Sequence, residues 1–186
     1  RSGDILCHDQ VMTGITSHPG IAQLRAEPQA LLDTVLAGDR RVLLVGPPGA
    51  GKSTLVDALA TTLSKAGRTC RCLGADPGSP LFGVPGAVCL GRREHAAWAL
   101  EAIEALCTLD AGRFRLPLIA AIRRLAARVE DGVLMVDGPG VVRGVAGAEL
   151  LSAVVEAADI EAILVLTRAG RPLPLLQELQ ALPVEV

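Results

Sequence analysis

Residues 42–60 read VLLVGPPGAGKSTLVDALA: an apolar run, a glycine-rich turn, Lys-Ser-Thr, then apolar residues at helical spacing. The run RVLLV (41–45) has no polar alternation, as expected of a strand buried on both faces of a parallel sheet. Beyond the turn, Leu55, Val56, Leu59 and Leu63 recur on one helical face, and Gly67 marks the stop. Strand, glycine-rich turn and helix in this order set the frame for the rest of the chain.

Gly46, Pro47, Pro48, Gly49, Ala50, Gly51, Lys52 and Ser53 satisfy G-x-x-x-x-G-K-[ST] in full. The pattern has a physical basis: only a glycine-rich loop lets successive backbone N–H groups point inward at phosphate oxygens, and the following helix adds its positive amino end. Lys52 is expected at the β- and γ-phosphates of ATP, the Ser53 hydroxyl on Mg²⁺, and Thr54 beside the α-phosphate. In VLMVDGPG (133–140) four apolar residues precede Asp137, a position suited to an acid that binds Mg²⁺ or orients the attacking group. In GADPGSP (74–80) Asp76 ends a second strand, where a carboxylate serves as general base or metal ligand. Both acids also precede good turn sequences, so turn formation is the alternative role for each.

Outward from the loop, strand and helix signals alternate. Strands are expected at 68–76, 132–140, 160–166 and in the terminal PVEV. Helices are expected at 28–38, 93–109, 115–129, 146–158 and 172–182, with GAVCLG (86–91) a short apolar stretch. The pattern predicts an α/β P-loop NTPase fold: a parallel sheet, helices on both faces and a helical lid insert at about 92–130. Residues 1–28 are expected to form an arm or the remnant of an upstream domain, with 29–186 as the P-loop kinase-like domain. The Arg1 start and the strand-like LPVEV end suggest an excised domain. The loop, Asp76 and Asp137 would share the carboxyl edge of the strands, where such sheets bind ligands.

The insert concentrates arginine. Arg92, Arg93, Arg113 and Arg115 fall at loop–helix junctions and are candidate phosphate clamps, whereas Arg123, Arg124 and Arg128 read as a solvated helix face. Trp98, with Ala102 and Leu106 on one helical face, reads as core. The 186 residues carry a net charge of −2 and 2% aromatic residues, which excludes a generally basic coat and a multi-ring base platform. No apolar run is long enough to span a membrane. Five cysteines without a C-x-x-C pair form neither a disulfide framework nor a zinc site, and reduced, idle thiols fit the cytoplasm. His8, His18 and His95 form no ligand pattern.

Two further segments carry a resemblance. GADPGSPLFGVPGAVCLG (74–91) resembles the Asp-x-Asp-x-Gly-Gln … Pro-Gly-x-Val-Ser-Leu segment of the polynucleotide 5′-hydroxyl kinases of pre-mRNA cleavage, tRNA splicing and ribosomal-RNA processing. Asp76, Gly78 and the run from Pro85 to Leu90 match it. VLMVDGPGVVRGVAGAELL (133–151) is similar to that family's Asn-Thr-x-Gly-Trp-Val-x-Gly element through Gly140, Val142, Gly144, Leu150 and Leu151. Gly74, Ser79, Asp137-Gly138 and Val141 stand where the pattern has Asp, Gln, Asn-Thr and a base-clasping Trp. The resemblance implies transfer of the ATP γ-phosphate to a 5′-OH RNA or DNA end, with Asp76 as base, Lys52 stabilising the γ-phosphate, Ser53 on Mg²⁺ and Asp137 in place of the missing acid. The segment 46–80 is also similar to the GTPases that chaperone cobalamin-dependent mutases. Those carry Asn-Lys-x-Asp after a strand, where this chain has ILVL followed by TRAGRP. A catalytically weak nucleotide-binding module is a third reading.

Overall fold

The structure is a computed structural model that describes residues 40–140, 143–167 and 173–184. Its elements are β1 (Arg41–Val45), α1 (Lys52–Lys65), β2 (Cys70–Gly74), β3 (Ala87–Glu94), β4 (Ala97–Ala105), α2 (Arg115–Ala126), β5 (Val133–Asp137), α3 (Gly144–Ala158), β6 (Ala162–Val165) and α4 (Leu176–Gln180). The six strands form one sheet in the order β4-β3-β2-β5-β1-β6.

β2, β5, β1 and β6 are parallel, and each is apolar on both faces because helices cover both. Val42, Leu44, Cys70, Cys72, Val133 and Met135 pack with Val56, Leu59 and Leu63 of α1. Leu43, Val45, Leu73, Leu134 and Val136 face the other way, onto Leu118, Ile122 and Leu125 of α2 and Leu150, Leu151 and Val154 of α3. The α/β architecture with helices on both faces is therefore the one its sequence predicts.

The insert is different. Residues 93–109 do not form a helix: β3 and β4 make an antiparallel hairpin that joins the edge of β2 and turns the parallel sheet into a mixed one. Of the expected helical insert at 92–130, α2 is the helical part. The register of the hairpin slips between Leu90 and Gly91, leaving Glu101 without an opposite number on β3. That bulge splits the face expected of Trp98, Ala102 and Leu106. Trp98 packs with the α1 side, whereas Ala102 and Leu106 pack with the α2 side. Trp98, expected as core, is half-buried against the α1-side core and stacked on Phe82 at 5.2 Å between centroids.

The expected arm at 1–28 and helix at 28–38 lie outside the described residues. Of the terminal PVEV, residues 183–184 form no strand and 185–186 are outside the description. Among the described residues, no helix is long and apolar enough to cross a membrane.

Candidate functional site

The loop between β1 and α1 has the form its glycines require. Gly51 holds φ +90° immediately before α1, and the helix has no side-chain cap, so its first amides are left for a ligand. Gly46 runs so close to β6 that a Cβ there would lie 2.7 Å from the Leu166 carbonyl. The amide of Ala50 donates to the Pro47 carbonyl at 3.1 Å, which closes the turn. Lys52 is buried, with its Nζ donating to the Gly46 carbonyl at 3.1 Å. An ammonium held there lies inside the cradle of amides and can exchange that carbonyl for a phosphate oxygen. Thr54 lies on the exposed side of α1.

Asp137 ends β5, in register with Leu44 of β1 and Gly74 of β2. The Ser53 hydroxyl donates to its Oδ2 at 2.9 Å, whereas Oδ1 is buried without a hydrogen-bond partner. Only 2% of Asp137 is exposed. Burial pushes its carboxyl above the ordinary carboxylate range, and the charge of Asp76 pushes the same way. The Ser53 hydrogen bond and the Lys52 charge pull it back. A buried carboxylate with one free oxygen beside a serine hydroxyl is the donor set of a hard divalent cation, so Ser53 and Asp137 fit Mg²⁺. Beneath it, burial and the charge of Asp137 hold the Cys72 thiol well up.

Gly138 and Gly140 belong to the same construction. The Gly138 amide donates to the Leu44 carbonyl, and a Cβ would sit 2.6 Å from that oxygen. A Cβ on Gly140 would meet the Pro48 ring at 2.9 Å, so the segment after β5 braces the loop. In the sequence Gly138 reads only as part of a turn, and Gly140 as a match to the kinase element.

Asp76 follows β2 on the same edge, joined to Asp137 by the Ala75 amide, which donates to the Asp137 carbonyl at 3.0 Å. Its Oδ1 accepts from the amides of Gly78 (3.1 Å) and Ser79 (3.3 Å), so the turn-forming role is realised. Oδ2 takes no hydrogen bond among the described residues. The edge thus brings together the loop, Lys52, Ser53, Asp137 and Asp76.

It does not bring in Arg92 or Arg93. β3 runs antiparallel to β2, and Arg92 is opposite Arg71 near the amino end of that strand, far from the loop. Arg93, with 4% of its side chain exposed, donates to Asp57 and Thr61 of α1 and lies over the Trp98 ring. It anchors the hairpin to the loop helix, and Arg92 pairs with Glu94 and Glu101. Arg123 and Arg124 are on the exposed face of α2 and Arg128 is exposed just past its end, Arg124 holding both oxygens of Glu104. Arg113 and Arg115 remain near the carboxyl edge, Arg115 bonded to the Gly112 carbonyl and 3.6 Å from Glu149. Val141 lies outside the described residues. Cys70, Cys72 and Cys89 are buried free thiols, Cys70 pushed up to about 12 by burial, and Cys107 is exposed.

Residues 46–185 match the family described as the mRNA cleavage and polyadenylation factor CLP1 P-loop. Two structures of Clp1p–Pcf11p complexes superpose with TM-scores of 0.61 and 0.65 at 16% identity, covering 82% of this chain and 44% of theirs. The second of these describes an extended Pcf11p–Clp1p interface and the basis of ATP loss in a point mutant. A shorter match, 48% identical over 46 residues, is to the phosphonates import ATP-binding protein PhnC 1 of Pseudomonas savastanoi pv. phaseolicola (strain 1448A / Race 6). It covers 25% of this chain and 17% of that protein. The chain thus spans less than half the length of these relatives. The match over residues 46–185, most of its length, shows that the chain belongs to the CLP1 P-loop family.

Proposed function

We propose that this domain transfers the γ-phosphate of ATP to the 5′-hydroxyl of an RNA or DNA end. The observation that carries the reading is the placement of Asp76 at the end of β2, on the edge that holds Lys52, Ser53 and Asp137, close enough for its charge to act on the Asp137 carboxyl. Amides of the loop and of the first turn of α1 hold the phosphates. Lys52 leaves the Gly46 carbonyl for the γ-phosphate and stabilises the charge spread over its oxygens. Mg²⁺ held by Ser53 and Asp137 would neutralise negative charge between the β- and γ-phosphates. Asp76, steadied by the amides on its Oδ1, presents Oδ2 to the incoming hydroxyl and takes its proton as the oxygen attacks the γ-phosphorus, whose bond to the bridging oxygen breaks to release ADP. The buried thiols fit a reducing, cytoplasmic setting.

One observation favours a second reading, a nucleotide-hydrolysing switch: the turn itself consumes Oδ1 of Asp76, which requires no acceptor. A single assay separates the two. The protein is given γ-labelled ATP or GTP, Mg²⁺ and a 5′-OH oligonucleotide. Label on the oligonucleotide, lost in Asp76→Asn with nucleotide binding intact, is the expected result. Free phosphate alone, with GTP outcompeting ATP, overturns the kinase reading.

A further inference from the structure

We propose that Arg113, Phe114 and Arg115 form a binding site for the single-stranded nucleic acid behind the reacting 5′ end, with a base on the Phe114 ring and a phosphate on Arg113. This inference rests on the kinase reading above and identifies the acceptor side of the same edge.

The chain has three aromatic rings, Phe82, Phe114 and Trp98. Two of them stack on each other. Phe114 has no ring partner and is 45% exposed, while Leu118, four residues on, is fully buried. Leaving a phenyl ring in water forgoes the burial that Phe usually gains. The segment that carries it is firmly placed. Leu106 and Cys107 donate their amides to the Gly86 carbonyl at 2.8 and 2.9 Å. Gly78, in the Asp76 turn, has room for no side chain because the Leu109 carbonyl would lie 2.9 Å from its Cβ. Asp110 then closes a turn, accepting from the Arg113 amide through Oδ1 (3.0 Å) and from the Phe114 amide through its carbonyl (3.3 Å). The ring is therefore displayed on a braced loop that touches the turn of the candidate base.

Charge selects the occupant. Arg113 is exposed, and its side chain has no ion pair among the described residues; Arg115 shares Glu149 at 3.6 Å. An exposed ring beside an exposed arginine offers a single strand a stack for a base and a cation for a phosphate; such a strand binds by stacking and by backbone neutralisation without sequence readout.

The test uses the whole chain and a short 5′-OH oligoribonucleotide with fluorescein at its 3′ end. Anisotropy reports oligonucleotide affinity and a fluorescent ATP analogue reports nucleotide affinity, each for wild type, Phe114→Ala, Phe114→Trp and Arg113→Gln. Phe114→Ala is expected to weaken oligonucleotide binding roughly 5- to 150-fold, the span of one base–aromatic stack, with nucleotide binding unchanged. Phe114→Trp should restore affinity, and its new indole should be quenched by the bound strand. Arg113→Gln should lower affinity and reduce the salt slope by about 0.7. If Phe114→Ala binds and phosphorylates the oligonucleotide like wild type, this site is wrong while the kinase reading stands, and the exposed ring belongs to a protein contact. If wild type binds ATP but neither binds nor phosphorylates the strand, the kinase reading fails and takes this inference with it.

Discussion

Asp137→Ala is expected to leave the nucleotide-free protein as stable as wild type or more so, while removing its response to Mg²⁺ and ATP. The substitution deletes a buried carboxylate with one oxygen bonded to Ser53 and one bonded to nothing. Loss of the Ser53 bond costs about 1 kcal/mol, and release of the unsatisfied buried acceptor returns about 1–3 kcal/mol. The balance lies between roughly zero and about 2 kcal/mol of stabilisation, or up to about 8 °C at 2–4 °C per kcal/mol. Leu43→Ala, at a site just as buried, should instead lose about 2–5 kcal/mol. The effect has a definite pH sign. The folded-state carboxyl is raised, so the folded protein holds this proton more tightly than the unfolded chain. The penalty is therefore present above the raised value and disappears as pH falls through it. The advantage of Asp137→Ala should shrink toward acid pH. Melting curves with and without ATP and Mg²⁺ are the assay. At a hundredfold excess over the dissociation constant, wild type should gain about 2.7 kcal/mol, and the variant should lose the Mg²⁺-dependent part of it. A fall of more than about 2 kcal/mol in the nucleotide-free variant at pH 8 would refute the reasoning, because the carboxylate would then stabilise the fold by itself.

Three further outcomes are expected. Asp57→Ala strands the buried Arg93 guanidinium and should destabilise by about 2–4 kcal/mol, whereas the double variant with Arg93→Met should recover much of it; a double-mutant cycle by urea titration measures the coupling. Gly138→Ala drives a Cβ onto the Leu44 carbonyl, so nucleotide affinity measured by titration calorimetry should fall even where circular dichroism shows a folded protein. In a Cys7→Ser background, one thiol, Cys107, should react quickly with a disulfide reagent at pH 8. Cys70 and Cys72, buried and with raised pKa values, should react only on unfolding.

The nucleotide half of the site is legible in the sequence because its demands are local. A glycine loop, a lysine and a serine fall within eight residues, and the strand before Asp137 is a continuous apolar run that places the acid at its end. The hairpin is illegible for equally physical reasons. REHAAWALEAIEALCTL is rich in Ala, Leu and Glu, all good helix formers, and its apolar residues also satisfy a helical spacing. Its turn lies between Glu94 and Ala97, where His95 takes φ +54° with no Asn-Gly or Asp-Gly to mark it. Pairing with β3 and the packing of Trp98 under Phe82 and Arg93 override propensity, and the Glu101 bulge hides the two-residue alternation that would have revealed a strand.

That difference redistributes charge around the site. A helix over 93–109 would have allowed Arg92 and Arg93 to swing over a triphosphate. As a strand, the segment fixes both at the opposite end of the sheet, and Arg93 becomes a tie between the edge hairpin and the helix that carries Lys52 and Ser53. Cationic help for the transferring group must then come from residues already at the carboxyl edge. Lys52 stands inside the loop, and Arg113 and Arg115 stand at the entry to α2, on the segment whose Leu109 carbonyl packs against Gly78 of the Asp76 turn. On the proposed reading the buried Lys52 serves the nucleotide, and Arg113 with Phe114 serves the strand. For that reason nucleotide affinity should follow Lys52, and strand affinity should follow Arg113 and Phe114, with little cross-effect between the two groups of variants.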